Sequence, residues 1–395
     1  MQTPPLRTWF LRAFWLVMTA ATVALLISRH FEGEMFFTLE GAPRLSDFAV
    51  FWAAAKQILQ GNALDIYNGA HQVAYESSLL GQQATARMVF PYPPTALLFI
   101  WPLGLIGYLQ AWLAFLAIGA GAWFFVLRSI TRDSLSALGM TFALGAATYN
   151  LQLGQNGFVT AALLCGSIVA LPRNRTLAGV LIGLLAFKPH MAIGAFLGLL
   201  VLREWKALAV SVGVVMILAA LSTLVFGWQI WPAFLAGDAG FATGAAREIA
   251  SGPSFLQQSV FSVLAPRFGV GIALAAHFLF AGAVFLLAAQ FKDWKQRRPA
   301  LIVATFLLAP FSFLYDATAL TGAAALLLRN ARSGAEAVGI CACAALPVLW
   351  FVTASPFAVI GALALLAITL GQSLAEKRDR ASDWTSAAKL PDIKP

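Results

Sequence analysis

Apolar stretches of roughly 15 to 22 residues follow one another from Phe14 to Ser373, separated by short polar connectors. A hydrocarbon core is about 30 Å thick and a helix rises about 1.5 Å per residue, so runs of this length are near what a membrane crossing needs. The pattern predicts helices near residues 13–28, 107–128, 134–150, 157–171, 176–188, 190–202, 206–226, 268–290, 299–312, 316–329, 335–352 and 356–373, about twelve crossings of an all-α polytopic protein. The first run follows Arg7 and Arg12, as a secretory leader would, but it has no small-residue cleavage site before His30 and many spans come after it, so it reads as an uncleaved helix. The piece Thr95 to Ile106 starts after Pro91-Tyr92-Pro93-Pro94, is broken by Trp101-Pro102 and is surplus to the count. It reads as an interfacial or re-entrant half-helix, which a membrane tolerates only where protein or water satisfies its backbone.

Composition agrees with the pattern. Hydrophobic residues make up 60% of the 395-residue chain and charged residues 11%, where a soluble domain carries about a quarter. Cys165, Cys341 and Cys343 lie inside apolar stretches with no metal-ligand partners near them, and read as small core residues rather than a disulfide framework. The formal charge of +9 would suit nucleic acid or an anionic surface, but the basic residues sit in short connectors: Arg7 and Arg12, Arg128 and Arg132, Arg173 and Arg175, Arg203 and Lys206, Lys292 to Arg298, Arg329 and Arg332, and Lys377 to Arg380. Basic short loops mark the cytoplasmic side, which puts both termini there. The reading is one integral membrane domain over residues 1–376, with a first outer loop over 29–94, a second over 227–267, and a polar cytoplasmic tail over 377–395.

Loops this long usually carry function. In the first, Phe48, Phe51, Trp52, Ala55, Ile58 and Leu59 follow the spacing of a surface helix with its aromatics in the headgroup layer; Ser46 caps it, Asp47 falls in its first turn and Gly61 ends it. Asp47 has two readings, a stabiliser of the helix N-terminus and a carboxylate placed for proton chemistry. The run Tyr149 to Gly157 puts the amides of Gln155 and Asn156 where a chain leaves and re-enters the membrane, to bond sugar hydroxyls or to satisfy a turn. Lys188 closes an apolar run ahead of Pro189 and His190, far from the basic connectors. An ionisable group at that depth is usually functional; a cation near the outer surface can hold a phosphate, and the competing reading is a lysine that snorkels to the interface. Arg247 and Glu248 lie in the second loop ahead of the run Ser254 to Ser259 that holds Gln258, as acceptor contacts or as an ordinary solvated pair. Asp316, ending Pro310-Phe311-Ser312-Phe313-Leu314-Tyr315-Asp316, lines a polar cavity or caps a helix.

Ser46-Asp47-Phe48 with its aromatic-alanine helix, Gly61 to Tyr67, Tyr92-Pro93-Pro94, Gly154-Gln155-Asn156, and Gly179 to Lys188-Pro189, in this order, resemble glycosyltransferase family 87. The resemblance covers about Arg44 to Asp316. It implies a GT-C fold and an inverting transferase that moves a sugar, mannose favoured, from a polyprenyl-phosphate donor to a lipid or glycan acceptor. It further implies a bacterial inner membrane, with the active site facing the periplasm or cell exterior. By the same resemblance Asp47 is the general base and Lys188, ahead of Pro189, meets the donor phosphate; the residues themselves add His190 at the phosphate and Tyr92, Gln155, Asn156, Arg247, Gln258, Tyr315 and Asp316 as contacts to sugar or acceptor. The family's late histidine is missing, and Tyr315 or Asp316 stands where it would be. No cofactor and no metal is expected, since the chain has no Asp-x-Asp pair placed to hold a nucleotide diphosphate, and no nucleic-acid partner. A transporter or lipid-linked sugar flippase is the rival class; it would show interrupted helices in two repeated halves, and no such repeat is visible.

Overall fold

The computed structural model describes residues 6–31, 46–81, 90–143, 145–237, 256–349 and 356–387. Among them the chain is helical, with one isolated antiparallel bridge between Gln257 and Phe313. In order the helices are α1 (Leu6–Phe31), α2 (Asp47–Leu59), α3 (Gly69–Leu80), α4 (Pro94–Ile100), α5 (Tyr108–Thr131), α6 (Ser134–Phe142), α7 (Ala146–Leu153), α8 (Gly157–Ala170) and α9 (Arg175–Leu185). They continue as α10 (Pro189–Val201), α11 (Trp205–Phe226), α12 (Ile230–Ala236), α13 (Val260–Gln290), α14 (Trp294–Leu308), α15 (Thr318–Leu328), α16 (Gly334–Ala345) and α17 (Phe357–Ala387).

Five of these, α1, α5, α11, α13 and α17, are long and apolar enough to cross a membrane. Six further apolar helical segments are shorter, so the described residues do not confirm the expected twelve crossings. The reasons are local. The predicted 134–150 helix divides at Gly145 into α6 and α7, and α13 starts at Val260 instead of 268, kinking at Gly269 just after Pro266. Helices α9 and α10 have 11 and 13 residues, about 16 and 20 Å of rise, and the chain between them leaves helical geometry at Lys188, with Pro189 opening α10. The half-helix expected at 95–106 is α4 followed by a 3₁₀ turn over Trp101–Leu105.

The core is built around α15, buried at every position except Thr321 and packed between α14, α8 and α5. A helix apolar on all sides has no other stable place. The aromatics of α2, expected among headgroups, are inside the protein: Phe48, Phe51 and Trp52 pack on Tyr92, Tyr108 and Phe115. The other face of α2 is alanine, which lets the 3₁₀ turn approach so closely that a Cβ on Gly104 would lie 2.7 Å from the Ala55 carbonyl oxygen. A helix covered on both faces has no side left for lipid.

The molecule has two chemically distinct ends. At one, Arg12 pairs with Asp133 (2.6 Å), Arg175 with Glu204 (2.6 Å), Lys295 with Glu376 (3.6 Å) and Arg332 with Asp379, while Arg329 donates to the Ile130 carbonyl (3.0 Å). Bonds from Arg12 hold the Asp133 carboxyl well below the usual carboxylate range. Helix α5 runs from this end, at Arg128, to Tyr108, whose hydroxyl meets Ser46 at 3.0 Å. Its 24 residues span about 36 Å, so the basic connectors and the start of α2 lie a membrane's thickness apart.

Candidate active site

Five short stretches meet at the end away from the arginines: the start of α2, the Tyr92 segment, the turn between α7 and α8, and the two breaks at Lys188 and Asp316. Ser46 is extended and its hydroxyl accepts the Ala49 amide (3.4 Å), so α2 begins with Asp47 in its first turn. The Asp47 side chain is half-buried, and its Oδ2 accepts a 2.6 Å hydrogen bond from the amide nitrogen of Gln155. Asp47 lies between the long helices α1 and α5, outside both. Burial pushes its carboxyl above the ordinary range, while the Gln155 bond and the charge of Lys188 pull the other way.

Gln155 stands in the turn Gly154 to Gly157. Gly154 is left-handed (φ +66°), and a Cβ there would fall 2.5 Å from the Cβ of Phe48, the neighbour of Asp47. Asn150 fixes the turn from behind. Its carbonyl accepts the Gln155 amide (3.1 Å), its side-chain oxygen accepts the Gly157 amide (2.7 Å), and its side-chain nitrogen donates to the Tyr315 carbonyl (3.1 Å) and the Thr318 hydroxyl (2.9 Å). Asn156 donates to the Tyr92 hydroxyl (2.6 Å) and accepts from the Lys188 ammonium (2.9 Å). Tyr92 is held at its carbonyl by Tyr67 (3.1 Å) and on its ring by Phe51 and Phe187.

Lys188 is buried, with 1% of its side chain open. The ammonium sits 2.5 Å from Asp316 Oδ1, 2.9 Å from Asn156 Oδ1 and 4.8 Å from the centre of the Tyr315 ring, a cation with partners on three sides. It does not snorkel. The other oxygen of Asp316 accepts the Phe313 amide (3.1 Å) and lies 3.9 Å from His190 Nε2. Asp316 thus shapes its own turn and pairs with a buried cation, joining the two readings of that residue. His190, by contrast, keeps 19% of its side chain open, and its Nε2 has no hydrogen-bond partner.

A carboxylate with one oxygen anchored, linked through two amides to a buried lysine ammonium that is itself paired with a second carboxylate, is an arrangement for taking a proton next to a polar, ion-paired corner. The model of glycosyltransferase family 87 matches residues 90–316, more than half of the chain. The chain belongs to this family. It is accordingly a glycosyltransferase with membrane-crossing helices. Neither the curated proteins nor the solved structures contain a match. In this glycosyltransferase the matched stretch includes Tyr92, Gln155, Asn156, Lys188, His190 and Tyr315 and ends at Asp316, while Asp47 lies ahead of it.

Seven of the residues singled out in the sequence, Tyr92, Gln155, Asn156, Lys188, His190, Tyr315 and Asp316, therefore gather with Asp47. Gln258 is near but bonded elsewhere. Its backbone amide donates to the Ser312 carbonyl (2.7 Å) and its side-chain oxygen accepts the Ala358 amide (3.1 Å), tying α17 to the Asp316 turn. Arg247 lies outside the described residues. Asn150, central to the turn, stands in the sequence only as one polar residue in a run of amides. Its side-chain bonds to Tyr315 and Thr318 reach 165 and 168 residues along the chain, which local spacing does not encode.

Proposed function

We propose that the protein transfers a sugar, with mannose favoured, from a polyprenyl-phosphate donor to a hydroxyl of a lipid or glycan acceptor, with inversion, on the outer face of a bacterial inner membrane. A GT-C arrangement of crossing helices belongs to the same proposal. One observation carries it: Asp47 has Oδ2 fixed by Gln155 and Oδ1 without a hydrogen-bond partner among the described residues, in a half-buried group.

As the acceptor oxygen attacks the anomeric carbon, its proton passes to Asp47 Oδ1. The bond from that carbon to the phosphate oxygen breaks on the opposite side, and its electron pair stays with the departing polyprenyl phosphate. A single displacement of this kind inverts the centre. The growing charge on the phosphate is met at the corner formed by Lys188, Asp316 and His190. His190, with part of its ring open, makes the contact, and Lys188, closed in beside Asp316, supplies charge at short range. The long apolar helices suit a donor and an acceptor that arrive within the membrane.

The test is transfer by purified protein in nanodiscs supplied with polyprenyl-phosphate mannose and a membrane lipid extract. Asp47→Asn is expected to lower the rate by about 100- to 10,000-fold while donor binding persists. Equal rates for both proteins would remove Asp47 as the base. No transfer by wild type from any polyprenyl-phosphate sugar would remove the donor class and bring the transporter reading forward.

A further inference from the structure

Gln155 carries two polar groups, and the structure accounts for both. Its side-chain oxygen accepts the backbone amide of Asn156 (3.2 Å), which leaves the nitrogen facing Asp47 Oδ2 at 2.6 Å. The amide orientation is thereby fixed by the backbone, because a flipped side chain would set oxygen against carboxylate and N–H against N–H. The residue is buried and its own amide is bonded to Asn150. The turn carrying it rests directly on Phe48 through Gly154, so the relation of Gln155 to Asp47 is set by packing as well as by the hydrogen bond. Next along the chain, Asn156 is held by Tyr92 and Lys188, and Lys188 by Asp316. A continuous line of hydrogen bonds runs from Asp316 through Lys188, Asn156 and Gln155 to the carboxylate of Asp47.

We propose that Gln155 is the positioning residue of the reaction, holding the Asp47 carboxylate at the angle from which its free oxygen takes the acceptor's proton; this rests on the reading of Asp47 as base. A carboxylate near a helix N-terminus turns easily about its last bond. An amide donor on one oxygen stops that rotation and leaves the second oxygen aimed outward. A base held this way is reactive because of where it points, and a small misplacement of the reacting groups costs about 100-fold in rate. The amides of Gln155 and Asn156 are engaged within the protein, so they act on the substrate through Asp47 and Lys188.

The deciding experiment titrates Asp47 in protein without substrate, following the infrared band of the protonated carboxylic acid that is present in wild type and absent in Asp47→Asn. The other ionisable groups whose charge reaches Asp47 are Lys188, Tyr92, Tyr108 and Tyr315, and subtracting the Asp47→Asn spectrum removes their contribution. Gln155→Met keeps the length and removes the donor; Gln155→Asn keeps the donor and cannot reach. Both are expected to raise the midpoint by about one pH unit, because each loses a hydrogen bond to the charged form. With polyprenyl-phosphate mannose and lipid extract, the acid limb of kcat is expected to rise by the same amount. The same assay is expected to show kcat falling about 10- to 100-fold and KM staying within a few-fold. An unmoved midpoint in either folded variant, or a change confined to KM, would overturn the proposal. Failure of the donor reading looks different: wild type transfers nothing, while the Asp47 titration still shifts.

Discussion

Lys188 shows how an ion pair is held where no water competes. Its ammonium and the Asp316 carboxylate are both closed off, at 1% and 0% side-chain exposure, and each satisfies the other at 2.5 Å. Removing one partner of such a pair strands the other charge, at a cost of about 3–5 kcal/mol, whereas removing both charges together costs far less. Lys188→Met is therefore expected to unfold in detergent well below wild type on thermal melting. The double variant Lys188→Met/Asp316→Asn, in which the amide still accepts the Phe313 N–H, is expected to recover most of the loss. A double variant as unstable as the single one would show that the pair is not what holds these two breaks together. The lysine is conspicuous in the sequence because it interrupts an apolar run, and its depth in the fold bears that out. Its engaged state was not legible there, because Asp316 lies 128 residues away.

Among the elements, α2 and α3 carry a second buried polar line that the sequence does not single out. Gln57 donates to Gln72 (2.5 Å) and Gln72 to Glu76 (2.7 Å), and the far oxygen of Glu76 has no partner. Burial pushes the Glu76 carboxyl up to about 7, with the Gln72 bond opposing. The folded form therefore binds a proton that the unfolded chain has already released above its ordinary value of 4.5. The stability this gives is complete below pH about 4.5 and is lost as pH rises through about 7, by ~3 kcal/mol in all. Glu76→Gln is expected to flatten that part of the stability-against-pH curve, read by thermal melting between pH 5 and pH 8. An unchanged slope would show that Glu76 is charged in the fold. The spacing of α2 marked it correctly as a helix capped by Ser46 and opening on Asp47, but put its aromatics in the headgroup layer. Which face of a helix meets lipid depends on what packs over the other face, here the turn at Gly104.

On the scale of the whole molecule, the basic connectors and the candidate site stand at opposite ends of α5, about 36 Å apart by helix rise. If the arginine end is cytoplasmic, as the positive-inside rule implies, the site opens outward. In a background with Cys165, Cys341 and Cys343 replaced, Asn62→Cys beside the site end is expected to react with a membrane-impermeant maleimide in intact cells. Ser333→Cys at the arginine end is expected to react only after the membrane is broken. The reverse pattern would turn the protein over and place its donor on the cytoplasmic side.

The sequence by itself determined the class, because apolar runs of spanning length leave helices as the way to satisfy the backbone. It determined the grouping of positive charge, because short loops carry it, and it marked the polar residues that interrupt apolar runs, because such interruptions are costly without a use. Only the tertiary structure decided that eight of these residues meet, that Gln155 faces Asp47 and that Lys188 is locked to Asp316. Those facts depend on contacts between stretches more than a hundred residues apart and on how closely glycine and alanine let backbones approach, and neither quantity is written in local spacing.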